Sequence, residues 1–393
     1  MSKLVKPFVS ALQPVLPMVA GVAGSLLSAL RIVLVTGGAA TNIQTLTVAS
    51  GVATATYAAA HSYIVGSVIG LSGADQSIFN DEFRVASVPT PNSITFPVGA
   101  PDGAATGSII CALASAGWEE VFTDGNVAVF RPTHVESSRL FVRVDDSGTI
   151  DARIVCYESM SDAHTGVNPF PTSAQMSGGL YWGKSRDSAA HHWVAFADHR
   201  GLYFGVEYTA SSVRYNLNLV GEIAPYKSGD GWSWIITGRR MVANSTSTSR
   251  DGSVGDSNTV TANSMYLARS LDATPSPVPA YGSGAGKNSA NSFSYSGSAT
   301  YSTVSVYPNP ANAGLLLCAV EVIDTAGVRG LFPGVLHARQ DLNSAGFTTG
   351  LVLTPTEDLA GKKLMSVEIG NSYSTASNTI GRMFMDISGT WSR

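Results

Sequence analysis

Two short runs, at 140–144 and 152–157, restrict what this chain can fold into more than any other feature. In the first, Leu140, Val142 and Val144 alternate with Phe141 and Arg143; in the second, Ile154 and Cys156 alternate with Arg153, Val155 and Tyr157. Between them lies an acidic, glycine-containing turn, with Asp145, Asp146 and Gly148. A helix repeats its apolar positions about every 3.6 residues, whereas period two on both sides of a turn predicts a half-buried β-hairpin. Strand-like runs at 118–122 and 127–131 precede it, so the remaining chain reads as additions to a β framework.

With 393 residues the chain can bury a sizeable core and divide into more than one domain. Charged residues make up 13%, about half of the roughly 25% usual for soluble domains. Its surface must then be covered by Ser, Thr, Asn and Gly or be buried against other chains, which suggests a subunit of a permanent assembly. A net charge of -4 lacks the clustered Lys and Arg that a nucleic-acid backbone requires, so nucleic acid is set aside as a partner. Cys111, Cys156 and Cys318 are odd in number and widely spaced. They read as small buried hydrophobes, with neither a disulfide framework nor a thiolate metal site.

Residues 1–36 begin with Lys3 and Lys6 and continue as an uncharged run from 7 to 30, whose apolar centre lies at 15–30. A basic start before an apolar stretch has the form of a secretory signal. Pro14, Pro17 and the small residues after them make a poor spanning helix, and the centre falls short of the roughly 20 residues a bilayer requires. The expectation is a short helical arm packed on the body or on a neighbouring subunit, with no membrane partner. From 43 to 114 the texture changes to short alternating runs punctuated by Ser50 and Gly51, Ser72 and Gly73, Asn80 and Asp81, Pro91 and Asn92, and Asp102 and Gly103. That pattern predicts a compact all-β module occupying 37–115, inserted into a body formed by its flanks.

Residues 116–393 predict a β-rich body, an antiparallel sandwich or meander. After a loop at 161–171, the runs 193–197 and 202–208 form a second hairpin around Asp198 and Gly201, with Leu202, Phe204, Val206 and Tyr208 on one face. Strands at 215–220, 232–237, 301–306, 314–322, 365–369 and 383–387 continue the series, with a turn-rich crossing at 329–334. The stretches at about 244–263 and 275–298 are dominated by Ser, Thr, Asn, Asp, Gly and Pro, and read as long polar loops or as arms ordered by a neighbour.

No motif carries chemistry, and no catalytic, cofactor-binding or metal-ligating residue is assigned. At 282–289 a Gly-Lys pair suggests a phosphate loop, but Tyr281 and Asn288 stand where a glycine and a Ser or Thr are needed. His191, His192 and His199 lack zinc spacing, and adjacent histidines on a strand face opposite ways, so they read as loop and surface residues. Asp145, Asp146, Asp151 and Glu158 contain the residue types of a glycosidase pair, yet three lie at a hairpin turn or its shoulders, where solvated carboxylates are common. The 251–256 segment lacks the order of a calcium loop, Asn244 is a formal glycosylation acceptor without secretory context, and no Gly-x-Ser-x-Gly elbow occurs. Tyr181, Trp182, Trp193, Trp232 and Trp234 read as core or interface aromatics.

Several segments together resemble a family of tailed-bacteriophage virion structural proteins. They are Leu-Phe-Val-Arg-Val-Asp-Asp at 140–146, Ala-Arg-Ile-Val-Cys-Tyr-Glu-Ser-Met at 152–160, Pro-Phe-Pro at 169–171, Gly-Leu-Tyr-Trp at 179–182 and Trp-Val-Ala-Phe-Ala-Asp at 193–198. Met-Phe-Met-Asp-Ile-Ser-Gly-Thr-Trp at 383–391 is similar to the family's closing strand, and Val-Arg-Gly-Leu-Phe-Pro-Gly at 328–334 to its arginine-glycine-proline turn. The ending departs from the family's Gly-Pro-Trp-Arg, reading Gly-Thr-Trp-Ser-Arg. Leu-Val-Thr-Gly at 34–37 and Ala-Gly-Trp at 116–118 resemble ends across which members carry inserted β modules.

The resemblance spans about 34–393 and implies a non-enzymatic structural subunit of a virion, in the tail or baseplate, assembled in the host cytoplasm. Its implied partners are other virion structural proteins and further copies of itself, and no cofactor is implied. Alternatives are a receptor- or glycan-binding module of the tail that contacts a host-surface glycan through the inserted module, and a capsid-decorating or head-fibre protein. A polysaccharide-degrading enzyme is a third and weaker reading.

Overall fold

A computed structural model describes residues 3–185, 189–207, 214–239, 254, 264–284, 305–338, 340–342, 345–369 and 381–393. Strands account for 48% of the protein and helical turns for 6%, which makes the fold mainly β. The opening hairpin is present as Phe141–Asp145 and Asp151–Met160, paired antiparallel from Phe141 opposite Tyr157 to Asp145 opposite Arg153. Trp118–Asp124 and Val127–Pro132 continue that sheet on one side. On the other side Gly166–Phe170 and Leu180–Gly183 share the free edge of Asp151–Met160, one along each half. The expected loop at 161–171 is thus half strand, because Gly166, Val167 and Phe170 continue the ladder opposite Met160, Ser159 and Cys156.

The second hairpin, Trp193–Ala197 with Gly201–Glu207, starts a long antiparallel meander. Asp198 accepts hydrogen bonds from the backbone N–H of Arg200 and of Gly201, each 2.9 Å, which closes the turn. Tyr208 lies outside the described residues. The meander runs through Tyr215–Glu222, Trp234–Thr237, Met265–Leu267, Val278–Gly284, Leu317–Asp324, Gly327–Ala338, Gly381–Asp386 and Leu364–Ile369. A parallel bridge between Tyr215 and Ile369 returns the last of these to the first, closing a ring of eight strands.

Two expectations change here. The 329–334 stretch is not a turn but the middle of the twelve-residue strand Gly327–Ala338, whose register shifts absorb its glycines and proline. At Gly330 the strand passes so close to Ala224 that a Cβ would fall 2.1 Å from the Ala224 carbonyl oxygen. Within the polar stretch 275–298, Val278–Gly284 is a strand pairing with Leu317–Asp324 and Met265–Leu267. Residues 285–298, and all of 244–263 except Val254, lie outside the described residues.

The wall shared by the ring and the six-stranded sheet explains why several strands carry no polar face. Trp193–Ala197 and Gly201–Glu207 extend the ring strand Tyr215–Glu222 into a wall, and Val194, Phe196, Tyr203, Leu217, Leu219 and Ile235 form one core with Val320, Val322, Val367 and Met385. Their sequence neighbours Trp193, Ala195, Phe204, Val220, Trp234 and Ile236 point outward into a second core that the six-stranded sheet covers. Trp182 of that sheet stacks on Phe204 at 6.1 Å, and Trp118 lies 6.2 Å from Trp234. A strand buried on both faces reads as a continuous apolar run, as Trp-Val-Ala-Phe-Ala does. Each fully buried aromatic or aliphatic side chain contributes roughly 1.5–3 kcal/mol.

Between 41 and 113 the strands form two separate sheets that pair only among themselves, one of four strands and one of five. The chain comes in and goes out at one place: Gly38 N–H donates to the Leu113 carbonyl at 2.9 Å, and Ala116 N–H to the Val33 carbonyl at 2.8 Å. The helix expected in the arm is Ser25–Arg31, followed by a π-helical turn at Ile32–Thr36. The front of the arm is instead the strand Lys6–Val9, added antiparallel to Trp193–Ala197, where it buries Val5, Phe8 and Val9.

Candidate functional site

Two places stand out: the presented face of the N-terminal arm, and the junction where the two chain ends meet. In the arm, Ser10, Gln13, Leu16 and Val19 are buried, one residue in three. Leu12, Val15 and Met18 follow the same spacing on the outside and are 47%, 46% and 40% exposed, with Val22 beyond them at 54%. Pro14 and Pro17 prevent a continuous helix here, so the side chains follow a period of three rather than 3.6. A Cβ added to Gly350 would lie 2.5 Å from Leu12 Cδ1, which places Leu12 beside the half-exposed Leu351.

The arm is held down by buried polar contacts. Gln13 accepts from the Val9 backbone N–H at 2.8 Å, and Trp193 Nε1 donates to the Pro17 carbonyl at 2.7 Å. Val19 and His191 exchange backbone hydrogen bonds of 3.0 and 2.7 Å. Lys184 Nζ donates to the Val22 carbonyl at 2.8 Å and pairs with Asp146, both side chains being fully buried. Asp146 also caps the helix, accepting from the N–H groups of Leu26 and Leu27 at 2.8 and 3.1 Å. Burial raises the Asp146 carboxyl above its ordinary value, opposed by Lys184 and these two N–H groups.

This corrects the reading of the acidic turn as solvated: Asp146 and Asp151 are buried. Asp145 pairs with Arg143 at 3.2 Å, and Glu158 is held by Arg269 through two 2.6 Å hydrogen bonds. These carboxylates therefore serve ion pairs, helix capping and packing. Nothing in local sequence signals Lys184 as the partner of Asp146, since 38 residues separate them. The aromatics behave as read: Trp182, Trp193 and Trp234 are fully buried, while Trp232 lies half-buried under Arg269, whose guanidinium carbon is 3.6 Å from the ring centroid. Cys111 and Cys156 are buried and Cys318 is half-buried; burial pushes the Cys111 thiol up to about 11.

At the second place Val5 N–H donates to the Gly389 carbonyl at 2.9 Å and Thr390 Oγ1 to the Lys3 carbonyl at 3.0 Å. Arg393 grips Asp198 with two hydrogen bonds of 2.8 and 3.0 Å, both side chains fully buried. Beside this clamp His134, Glu136 and His199 converge, with one potential ligand atom from each within 4.8 Å of the others. His199 Nε2 lies 3.3 Å from Glu136 Oε2, and the two imidazoles meet edge to face at 4.6 Å. Lys3 pairs with Glu136, and that hydrogen bond is the main cause holding this carboxyl below its ordinary value. Burial lowers the pKa of His199, favouring the neutral ring.

The expectation for the histidines is corrected in part. His191 is fully buried against Ser185, and His199 is 5% exposed at the foot of its turn; His192 is partly buried, near Ser10. His191 and His192 do not share a ligand set, as their opposite facing on the strand requires. His199 instead meets residues 63 and 65 positions earlier, a convergence that only the fold supplies. The local signal was a histidine and a carboxylate two residues apart, His134 and Glu136, which the turn closed by the Ser137 N–H to His134 carbonyl hydrogen bond brings together.

No helix among the described residues is long and apolar enough to cross a membrane. No protein-family model matches the chain, and no curated protein matches it.

Proposed function

We propose that the chain is a non-enzymatic structural subunit of a tailed-phage virion, in the tail or baseplate, that acts by packing against further copies of itself and other virion proteins. The observation that carries this reading is the arm: an apolar row of Leu12, Val15 and Met18, anchored from below by Gln13, Leu16 and Val19. A fixed apolar row on a chain with only 13% charged residues suits a permanent interface, where preorganisation lowers the cost of association.

The segments that carry the family resemblance also support it, because they assemble into one unit. Residues 140–146, 152–160, 169–171 and 179–182 lie in the six-stranded sheet, which covers the wall containing 193–198. Segment 383–391 pairs with the strand containing 328–334, and Trp391 packs edge to face on Tyr203 at 5.2 Å. A glycan-binding role has less support. Arg269 covers the face of Trp232, and the exposed large apolar side chains of the inserted module are Val52, Ile78 and Ile110, none aromatic.

The test is sedimentation of the purified chain together with mass spectrometry of intact particles. The reading expects an assembly well above 40.9 kDa, dissociated by Leu12→Asp with Val15→Asp, and the chain among the virion proteins. A stable monomer at micromolar concentration that is absent from particles would sink it.

A further inference from the structure

We propose that His134, Glu136 and His199 bind one divalent transition-metal ion of the zinc class, clamping the segment after Val127–Pro132 to the Asp198 turn beside the chain ends. Two imidazoles and one carboxylate are the donor set of borderline ions such as zinc. Magnesium and calcium prefer oxygen-only shells.

The distances fit. Bonds of about 2.0–2.1 Å in a tetrahedron put neighbouring ligand atoms about 3.4 Å apart. The Glu136 Oε2 to His199 Nε2 separation of 3.3 Å already meets that spacing. The widest pair within the 4.8 Å envelope needs only a small rotation. The groups able to supply it are the half-buried His134 and the exposed Glu136, while the buried His199 stays fixed.

A second observation concerns the far side of His199. Its Nδ1 is buried without a hydrogen-bond partner and sits 3.9 Å from Asp198 Oδ2. Coordination through Nε2 requires the ring proton on Nδ1, facing that carboxylate. Metal-bound histidines are commonly oriented by such a carboxylate, and here Asp198 is itself fixed by Arg393. For His134, coordination through Nε2 moves its proton to Nδ1 and gives up the 3.2 Å hydrogen bond from the Glu136 backbone N–H. With three protein ligands the fourth position is left to water or to a donor from a neighbouring molecule.

Lys3 supplies an internal control. Its ammonium holds Oε1 of the carboxylate whose Oε2 the metal would take, so the two positive charges oppose each other at Glu136. Lys3 is 40% exposed at its side chain and can release into water.

The experiment uses the full chain stripped with chelator, titrated with Zn2+ in a calorimeter and with Co2+ in a spectrophotometer. The expected result is one equivalent bound, tetrahedral Co2+ bands, and a raised unfolding temperature. His134→Ala and Glu136→Gln should each weaken binding roughly tenfold or more. Lys3→Gln should tighten it. His134 and Glu136 are not core residues, so both variants should fold even if His199→Ala does not. Binding that is absent, that exceeds one equivalent without saturation, or that is unchanged in both variants overturns the proposal.

Discussion

The inserted module and the wall of the ring are both antiparallel β, yet they obey different rules. In the module, Thr45–Ala49 buries Leu46 and Val48 and exposes Thr45, Thr47 and Ala49. In the wall, every residue of Trp193–Ala197 and of Tyr215–Glu222 is buried. The module's strands have one core and one wet face; the wall strands separate two cores. The lesson is that alternation in sequence reports how many layers a strand lies between, not whether it is a strand.

The hardest test of this contrast is in the wall. Phe204→Ala removes a ring stacked between Trp182 and Trp193 and should cost about 3–5 kcal/mol in chemical denaturation. Thr47→Ala, on the module's wet face, should stay within about 0.5 kcal/mol. Equal losses at the two positions would erase the distinction.

Next in size is the seam between the regions. Glu82 of the module pairs at 2.9 Å with Lys6, whose side chain is 1% exposed in the body. Glu82→Gln takes the opposite charge from a buried ammonium and should destabilise by about 3 kcal/mol. Adding Lys6→Met should recover most of that loss. If Glu82→Gln alone has no effect, the module contributes nothing to the body at this seam.

The smallest effect is at the helix. Arg31 donates two 2.8 Å hydrogen bonds to Glu120, and this guanidinium holds the Glu120 carboxyl below its ordinary value of 4.5. A depressed carboxyl stabilises the fold above its unfolded pKa, and that contribution disappears as pH falls through the lower folded value. Glu120→Gln should therefore cost about 0.2–1 kcal/mol at pH 7, since the pair is partly exposed, and progressively less as pH falls below the ordinary carboxylate range. A loss that stays the same as pH falls would assign the effect to packing.

Sequence reading reached the fold where period two was intact. The hairpin at Phe141–Asp145 and Asp151–Met160 and the module's short runs were legible that way, whereas the wall strands were located but their second buried face was not. It failed where a strand breaks local rules. Gly330, Pro333 and Gly334 suggested a turn, but register shifts and a close approach to Ala224 accommodate them in a strand. At Gly334 the backbone φ is 69°, and Trp391 lies where a side chain would stand. The sites were less legible still. Asp146 resembled any turn carboxylate until Lys184 and the helix N-terminus closed on it, and His199 gained neighbours only through pairing of distant segments.

The meeting of the chain ends also has a mechanical consequence. Tension applied between Lys3 and Trp391 would first load a short set of bonds, Val5 to Gly389 and Thr390 to Lys3. The Lys3 to Glu136 pair and the Trp391 Nε1 hydrogen bond to the Asp386 carbonyl share that load at the surface of the body. The module is shielded a second time, because the Gly38 to Leu113 hydrogen bond shunts force past its 74 intervening residues, 39 to 112. Under tension the chain would behave as a short stiff link with a slack reserve held behind two latches.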